Sequence, residues 1–286
     1  MLFVNLCMQG LLQGGIYALI AIGLTLVYGL LRILHVAHAG LYTLGGYIAV
    51  IVTNTTGSFS LGLMTSMLAV GLVGMVIYRL IYQPILDKPP FVALIASIGL
   101  FIALEEIYRI IFGPYGITFA AVPLQGAVNF AGTYLRECEI AAVLLATLLI
   151  AALTLFTKHS RIGIAWRATV TDPEMSQSFG VDVVKVRYLN FFIGSAMAAG
   201  AGSMVALMNN LVEPTMGSVP SYKALAIIVL GGLGNVRGTL IAALVIGIAE
   251  TFGTIYLGDY LDRDSIAFAF LILVLMVKPT GLFAKG

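Results

Sequence analysis

The sequence predicts an all-α fold, a polytopic bundle of about eight or nine transmembrane helices. Of its 286 residues 60% are hydrophobic and only 10% are charged, against roughly 25% charged residues in ordinary soluble domains. A soluble protein could not cover its surface with so few charges. The net charge of +2 is also too small to attract a nucleic acid. The composition therefore indicates a protein whose surroundings are a lipid bilayer, with no nucleic-acid partner.

The positions of the charges indicate where the helices cross. Long stretches contain no Asp, Glu, Lys or Arg, among them 1–31, 33–78 and 188–212. A helix needs about 20 apolar residues to span a bilayer core, and the alternation typical of barrel strands is absent. The first stretch lacks the basic start of a cleaved signal, so it is expected to remain as a helix. The predicted spans are 6–31, 39–53, 60–78, 91–112, 139–157, 188–212, 222–234, 239–257 and 265–278.

Two parts of this assignment stay open. The segment 222–234 has only 13 residues, and the stretch around His35 and His38 is interrupted, so either could be a broken helix. Residues 113–138 are polar and rich in Gly and Pro, which favours an external loop, with or without half-helices at the interface. Residues 1–286 otherwise form a single transmembrane domain.

Small residues predict how the helices pack. Gly10 and Gly14 are four residues apart, as are Gly234 and Gly238, and 194–203 (GSAMAAGAGS) is almost entirely small. Such residues let membrane helices approach closely. Glycine is also common in membrane helices generally, so some of these matches are expected by chance.

Lys and Arg residues predict which side each loop faces. The loop 158–187 holds eight charges, five of them basic, and is predicted to be cytoplasmic. The tail carries Lys278 and Lys285 without an acid, so the C-terminus is also predicted to be cytoplasmic. The turn 258–264 (GDYLDRD) has three acids and one Arg, which suits the outside.

Residues 171–180 (TDPEMSQSFG) predict a short helix inside this basic loop. Thr171 or Asp172 can cap its first turn, and Pro173 has the backbone angle that suits a first helical position. Gly180 can adopt the left-handed conformation that ends a helix. The helix is therefore expected to be about seven residues long.

This predicted helix has one apolar face. Glu174 lies at the positive end of its dipole, whereas Met175 and Phe179 are four residues apart and share a side. Two interpretations remain open. The face packs on the membrane or on the bundle itself, or it inserts into a groove on a cytoplasmic protein.

The loop resembles the coupling segment of ABC-transporter permeases, whose pattern is Glu-Ala-Ala, three residues and Gly. Glu174 and Gly180 keep that spacing, but Met-Ser replaces the two alanines. Three further stretches are similar to the H-type (LivH-type) permeases of branched-chain amino acid ABC transporters, so the resemblance covers essentially the whole chain: 24–47 (LTLVYGLLRILHVAHAGLYTLGGY), 223–250 (KALAIIVLGGLGNVRGTLIAALVIGIAE) and 267–283 (AFAFLILVLMVKPTGLF).

The resemblance implies an importer in a bacterial inner (plasma) membrane. Its parts are two permease subunits, usually non-identical H and M (LivM) types, two cytoplasmic ATPase subunits, and a periplasmic substrate-binding protein. This chain has no G-x-x-x-x-G-K-[ST] phosphate loop, so it is expected to be non-catalytic and without a cofactor, with ATP and Mg bound on the ATPases. The resemblance implies that the ATPase-coupling residues are Asp172, Pro173, Glu174, Met175, Phe179 and Gly180.

One stretch departs from the family pattern. Many branched-chain amino acid permeases have an acid after an Asn-Phe-Ala-His-Gly sequence, whereas residues 35–40 here read HVAHAG. Branched-chain amino acids remain the expected substrates. Relatives assigned to urea, short amides and aromatic or other organic acids provide the alternatives.

Polar residues inside the spans are candidates for the translocation path, because ionisable groups are costly at membrane depth. Glu105 and Arg109 are expected to pair along one helix face. Glu250 could line a path or bond across the bundle, and His38 marks a helix break or a helix end at the interface. The tentative path residues are His38, Asn209, Asn210 and Glu250.

Other classes of protein are less consistent with the sequence. A secondary transporter or channel would need no docking helix, and ion-coupled carriers tend to contain chains of intramembrane acids or bases. A membrane enzyme would need a nucleophile with a base, or a metal cluster. The three histidines are scattered, so no metal site is predicted.

Overall fold

The computed structural model describes residues 2–130, 133–258 and 260–278. These residues contain eleven α-helices and one short hairpin. The helices are α1 (Leu2–Leu31), α2 (His38–Thr56), α3 (Phe59–Ile77), α4 (Pro90–Phe112), α5 (Glu137–His159), α6 (Arg161–Thr171), α7 (Pro173–Ser178), α8 (Val183–Asn209), α9 (Ser218–Gly231), α10 (Val236–Leu257) and α11 (Arg263–Val277). The antiparallel strands are β1 (Ala127–Phe130) and β2 (Thr133–Arg136). A π-helical turn, Tyr78–Tyr82, and a 3-10 turn, Gln83–Ile85, prolong α3.

The all-α fold class is confirmed, and each predicted span overlaps one of these helices. Six helices in the described part of the chain are long and apolar enough to cross a membrane, namely α1, α3 with its extension, α4, α5, α8 and α10. Helices α9 and α11 are apolar but have only 14 and 15 residues. The total of eight or nine crossings therefore stays a prediction.

The segments that the sequence leaves open have definite structures. In the segment 222–234, residues 222–231 belong to one continuous helix, α9. Helix α1 ends at Leu31, because Arg32 adopts a positive φ of 54°, and α2 begins at His38. The break at 32–37 therefore separates two helices. The described residues 113–130 and 133–136 form irregular backbone and the hairpin, and contain no half-helix.

Helices α1 and α8 form the centre of the bundle. In the 18-residue apolar stretch of each helix, 78% of the residues are buried, against 17% in α4 and α5. Helix α1 packs against α10, α8, α5 and α9, and α8 packs against α2 and α3. A Cβ atom at Gly14 would lie 2.7 Å from Leu244 Cα, and all residues of 194–203 are buried. The predicted close packing at these two places is confirmed.

The connections fall at two opposite ends. We call one the basic end; it comprises 32–37, 78–89, 160–182 and 232–235. The other is the hairpin end; its described parts are 57–58, 113–130, 133–136, 210–213 and 260–262. The 3-10 turn Pro214–Gly217 lies against the first turns of α2. Nine Lys and Arg residues lie in the connections of the basic end or in adjacent helix turns: Arg32, Arg79, Lys88, Lys158, Arg161, Arg167, Lys185, Arg187 and Arg237. The same count over the described part of the hairpin end gives three: Arg109, Arg136 and Arg263.

Candidate functional site

Helix α7 at the basic end is held by caps at both ends. Asp172 Oδ1 accepts the Met175 N–H at 2.9 Å, and Pro173 occupies the first helical position. At the other end Gly180 has a φ of +83°, and its N–H donates to the Gln177 carbonyl at 3.0 Å. The helix has six residues, one fewer than expected, and Asp172 is the capping residue.

The apolar side of α7 faces away from the bundle. Met175 is 56% exposed and Phe179 is 82% exposed, whereas Ser176 on the opposite side is buried. The Ser176 hydroxyl donates to the Asp172 carbonyl at 2.7 Å. The described residues therefore do not cover the Met175–Phe179 face, which contradicts packing on the bundle's own ends. Packing on the membrane and docking on a cytoplasmic protein both stay predictions.

Helices α6 and α8 support α7. The indole N–H of Trp166 in α6 donates to Asn190 Oδ1 in α8 at 3.0 Å, and Arg167 donates to the Thr157 carbonyl in α5. Asp182 caps α8, accepting the Lys185 N–H at 3.1 Å, and this hydrogen bond lowers the pKa of the Asp182 carboxyl. Helix α7 therefore contacts α6 and α8, and α6 is hydrogen-bonded to the long helices α5 and α8.

A second group of polar residues is buried near the hairpin end, around Glu250. Lys223 Nζ lies 2.7 Å from Glu250 Oε1 and 2.7 Å from Asp264 Oδ1. The Tyr17 hydroxyl donates to Glu250 Oε2 at 2.7 Å, and Lys223 Nζ donates to that hydroxyl at 2.9 Å. Glu250 is fully buried and Lys223 is 5% exposed. We call Tyr17, Lys223, Glu250 and Asp264 the ionic cluster; it joins α1, α9, α10 and α11.

The Glu250 carboxylate bonds across the bundle, as one of its two expected roles requires, and Lys223 is its cationic partner. Its part in the translocation path stays a prediction. Sequence reasoning missed Lys223, although a signal was present: it is the only charged residue between Glu213 and Arg237. A lone cation in an apolar stretch needs a buried anion, because an unpaired charge at membrane depth is costly.

The predicted pair of Glu105 and Arg109 is wrong. Arg109 NH1 lies 2.7 Å from Glu106 Oε1, three residues away, on an exposed face. Glu105 instead accepts the Ser218 hydroxyl at 2.6 Å, so it connects α4 to the start of α9. Tertiary contact with α9, which sequence spacing does not reveal, removes Glu105 from the local pair.

His38 is the first residue of α2, but it is buried instead of lying at an interface. It packs so closely on α1 that a Cβ atom at Gly23 would lie 2.9 Å from His38 Nε2. The nearby His35 is also buried, with Nδ1 2.6 Å from the Tyr82 hydroxyl. The two rings, with centroids 5.8 Å apart, hold the α1–α2 break against the extension of α3.

The two asparagines at the end of α8 differ in their surroundings. Asn210 has a φ of +52°, and its Oδ1 accepts the Phe119 N–H at 3.2 Å, which fixes the 113–130 loop. Asn209 lines an open cavity of about 360 Å³ at the hairpin end. His38, Asn210 and Glu250 do not line this cavity, so the structure does not bring the four path candidates together.

A bundle of long apolar helices with asymmetric basic connections and a capped, exposed helix has the architecture of a multi-pass membrane permease. A family model described as the permease component of branched-chain amino acid transport systems matches residues 6–277. The chain belongs to this family.

Individual relatives agree with this assignment. The chain is 31% identical to "High-affinity branched-chain amino acid transport system permease protein LivH" of Escherichia coli (strain K12), over 99% of this chain and 96% of that protein. It is 32% identical to the corresponding BraD protein of Pseudomonas aeruginosa, over 97% and 94%. The LivM permease of Escherichia coli (strain K12) is 25% identical over 93% of this chain and 67% of its own length.

One solved structure shares the fold. "PsaBC from Streptococcus pneumoniae in complex with Fab" superimposes with a TM-score of 0.50, covering 96% of this chain and 92% of that chain. The sequence identity is 12%, so this similarity shows the fold alone.

Proposed function

We propose that this chain is a permease subunit of an ATP-driven importer and forms half of a translocation pathway for branched-chain amino acids. Family membership supports this proposal, together with relatives named for high-affinity branched-chain amino acid transport. The strongest support for the proposal is the exposed apolar face of α7. This face suits a subunit whose conformational change is driven by a separate protein.

The exposed face of α7 is where we place the contact with an ATPase subunit. A short helix loses its terminal hydrogen bonds easily, but α7 has both ends capped and is therefore preorganised. An apolar helical face that inserts into a groove is a common mode of recognition. In this proposal ATP and Mg bind on the ATPase subunits, whose movement shifts the bundle between two states through α7.

The orientation follows from the two ends of the bundle. The basic end faces the cytoplasm, because Lys and Arg are enriched in cytoplasmic loops. The chain lies in a bacterial inner membrane and crosses it eight or nine times, with its C-terminus inside. The hairpin end then faces a periplasmic substrate-binding protein.

The second half of the pathway is proposed to be a LivM-type subunit. Similarity to LivM over 93% of this chain supports a shared fold for the two halves, as expected for a pseudo-symmetric heterodimer. The departure at 35–40 has little bearing on the substrate in this arrangement. His35 and His38 are buried between helices and do not line the open cavity.

The test substitutes Phe179→Asp in the full transporter reconstituted with its ATPases and binding protein. Leucine uptake and ATP hydrolysis stimulated by the binding protein are expected to fall strongly, because a carboxylate cannot enter an apolar groove unpaired. The matched control is Phe179→Leu, which keeps an apolar side chain at the same 82% exposed position and is expected to retain uptake.

Membrane abundance is measured in parallel, and both variants are expected to match the parent. Normal leucine uptake by a well-expressed Phe179→Asp transporter would contradict the coupling role. Valine, isoleucine, urea, a short amide and an aromatic acid serve as competitors. Inhibition by the last three, but not by the aliphatic amino acids, would contradict the proposed substrate.

A further inference from the structure

The open cavity at the hairpin end has a composition that suits one chemical class of ligand. It lies between α1, α5, α8 and α10, where the ends of these four helices meet. Its volume of about 360 Å³ falls at the small end of the range for ligand sites, about 300–1,000 Å³. A ligand with a few carbon atoms fits this size.

One wall of the cavity carries a cation and an anion side by side. Arg136 NH2 lies 2.9 Å from Glu139 Oε1, and their side chains are 48% and 21% exposed. Arg136 NH1 also donates to the Met208 carbonyl at 3.2 Å, which holds the guanidinium over the cavity. Glu139 also accepts the Arg136 Nε–H at 2.9 Å and the Arg136 backbone N–H at 3.1 Å. A guanidinium has five N–H donors and a carboxylate about four acceptor positions, so each group keeps some for a ligand that carries both charges.

Three aliphatic side chains also line the cavity. Leu12 and Ile16 lie one turn apart on α1, and Ile255 lies on α10. Thr251 and Thr254, on the same stretch of α10, donate their hydroxyls to the Gly247 and Glu250 carbonyls at 2.9 and 2.7 Å. These hydroxyls already donate to their own helix, and Leu12, Ile16 and Ile255 supply the apolar part of the lining.

Three amide side chains, those of Gln9, Gln13 and Asn209, complete the lining together with Met208. Gln9 and Gln13 are four residues apart on α1, so both point to the same side of the helix. Amide groups donate and accept hydrogen bonds, and they therefore serve a carboxylate or an ammonium group equally.

We propose that this cavity is a receiving site for a zwitterionic aliphatic α-amino acid. The carboxylate pairs with Arg136, the ammonium group pairs with Glu139, and the side chain packs against Leu12, Ile16 and Ile255. A charged side chain would lie against Leu12, Ile16 and Ile255, so acidic and basic amino acids are disfavoured. This inference rests on the proposed function, and it names residues that would meet the substrate at the hairpin end.

The test measures protection of an introduced cysteine. Gln13→Cys is made in a Cys7→Ser background, and the permease pair with its ATPases is placed in nanodiscs without the binding protein. A methanethiosulfonate ethylammonium reagent modifies the thiol. L-leucine is expected to slow the modification several-fold, whereas L-lysine and L-glutamate are not. The matched control, Tyr134→Cys on β2 outside the cavity, is expected to react at one rate throughout.

Two further variants test the charged and apolar walls. Arg136→Gln is expected to raise the half-protecting leucine concentration by about tenfold or more, and Arg136→Lys by less, because a charge-assisted bond is lost or weakened. Since Arg136 also bonds to the end of α8, Leu12→Trp provides an independent variant that fills the cavity and should abolish protection.

Equal modification of Gln13→Cys with and without leucine would overturn the site. Equal protection by leucine and lysine would overturn it too. Leucine uptake by the parent transporter is measured separately. Uptake without protection refutes the site and leaves the proposed function standing, whereas protection without uptake supports the site and contradicts the function.

Discussion

Helix α7 exposes apolar side chains, whereas the ionic cluster buries charged ones. Helix α7 leaves Phe179 82% exposed at the basic end, whereas the ionic cluster holds Lys223 and Glu250 inside the bundle near the hairpin end. In the first region the described part of the chain leaves apolar surface uncovered. In the second, charges that are costly to bury are satisfied entirely within the chain.

The difference shows how each region can serve a transporter. The ionic cluster is complete, with two carboxylates and a hydroxyl around one ammonium group, so it fixes α9, α10 and α11 to α1. Helix α7 is complete in its backbone caps but not in its side-chain contacts. We expect substitutions in the cluster to act on stability and substitutions in α7 to act on coupling.

The largest expected effect comes from Lys223→Met. It leaves Glu250 fully buried without its cation, which costs about 3–5 kcal/mol for a broken buried pair. Thermal unfolding in detergent, followed by size-exclusion chromatography, measures the loss.

Glu250→Gln is the companion variant to Lys223→Met. It should cost less, because Lys223 keeps Asp264 at 2.7 Å. If the two variants were equally stable, the cluster would not be the interior anchor that we describe.

A smaller effect is expected from Asp172→Ala, which removes the N-cap of α7. A lost cap costs about 1 kcal/mol of helix stability, so leucine uptake should fall up to about fivefold while thermal unfolding is unchanged. Asp172→Asn keeps a capping oxygen and is the matched control. A drop in unfolding temperature equal to that of Lys223→Met would remove the distinction between the two regions.

The smallest effect is expected from Arg109→Ala. This residue pairs with Glu106 at 2.7 Å, as close as Lys223 to Glu250, but both side chains are about half exposed. Exposed pairs contribute roughly 0–1 kcal/mol, so unfolding should change little. A loss as large as that of Lys223→Met would show that burial is not what separates the two ion pairs.

Local features of the sequence were predictable because their causes are local. The helices follow from charge-free apolar runs, and α7 follows from Asp172, Pro173 and Gly180, whose backbone preferences act within a single turn. The alternative caps Thr171 and Asp172 were not separable in advance. Both have side-chain oxygens at the right place, and the observed bond is made by Asp172.

Features that depend on distant partners were missed or misjudged. Glu105 binds Ser218, 113 residues away, and Tyr17 binds Glu250, 233 residues away. Spacing along one helix predicted a pair for Glu105 with Arg109 instead. The open cavity is equally invisible in the sequence, since its walls come from four helices that are separated along the chain.

The sequence by itself determined that this protein is surrounded by lipid, where its helices lie, and that its basic loop contains a capped helix. Each depends on residues within a few turns of one another. The tertiary structure alone decided that Lys223 neutralises Glu250, that the Met175–Phe179 face is left exposed, and that Arg136 and Glu139 border a partly aliphatic cavity. The reason is physical: burial and charge pairing depend on which helices become neighbours, and nearest neighbours in the bundle are far apart in the chain.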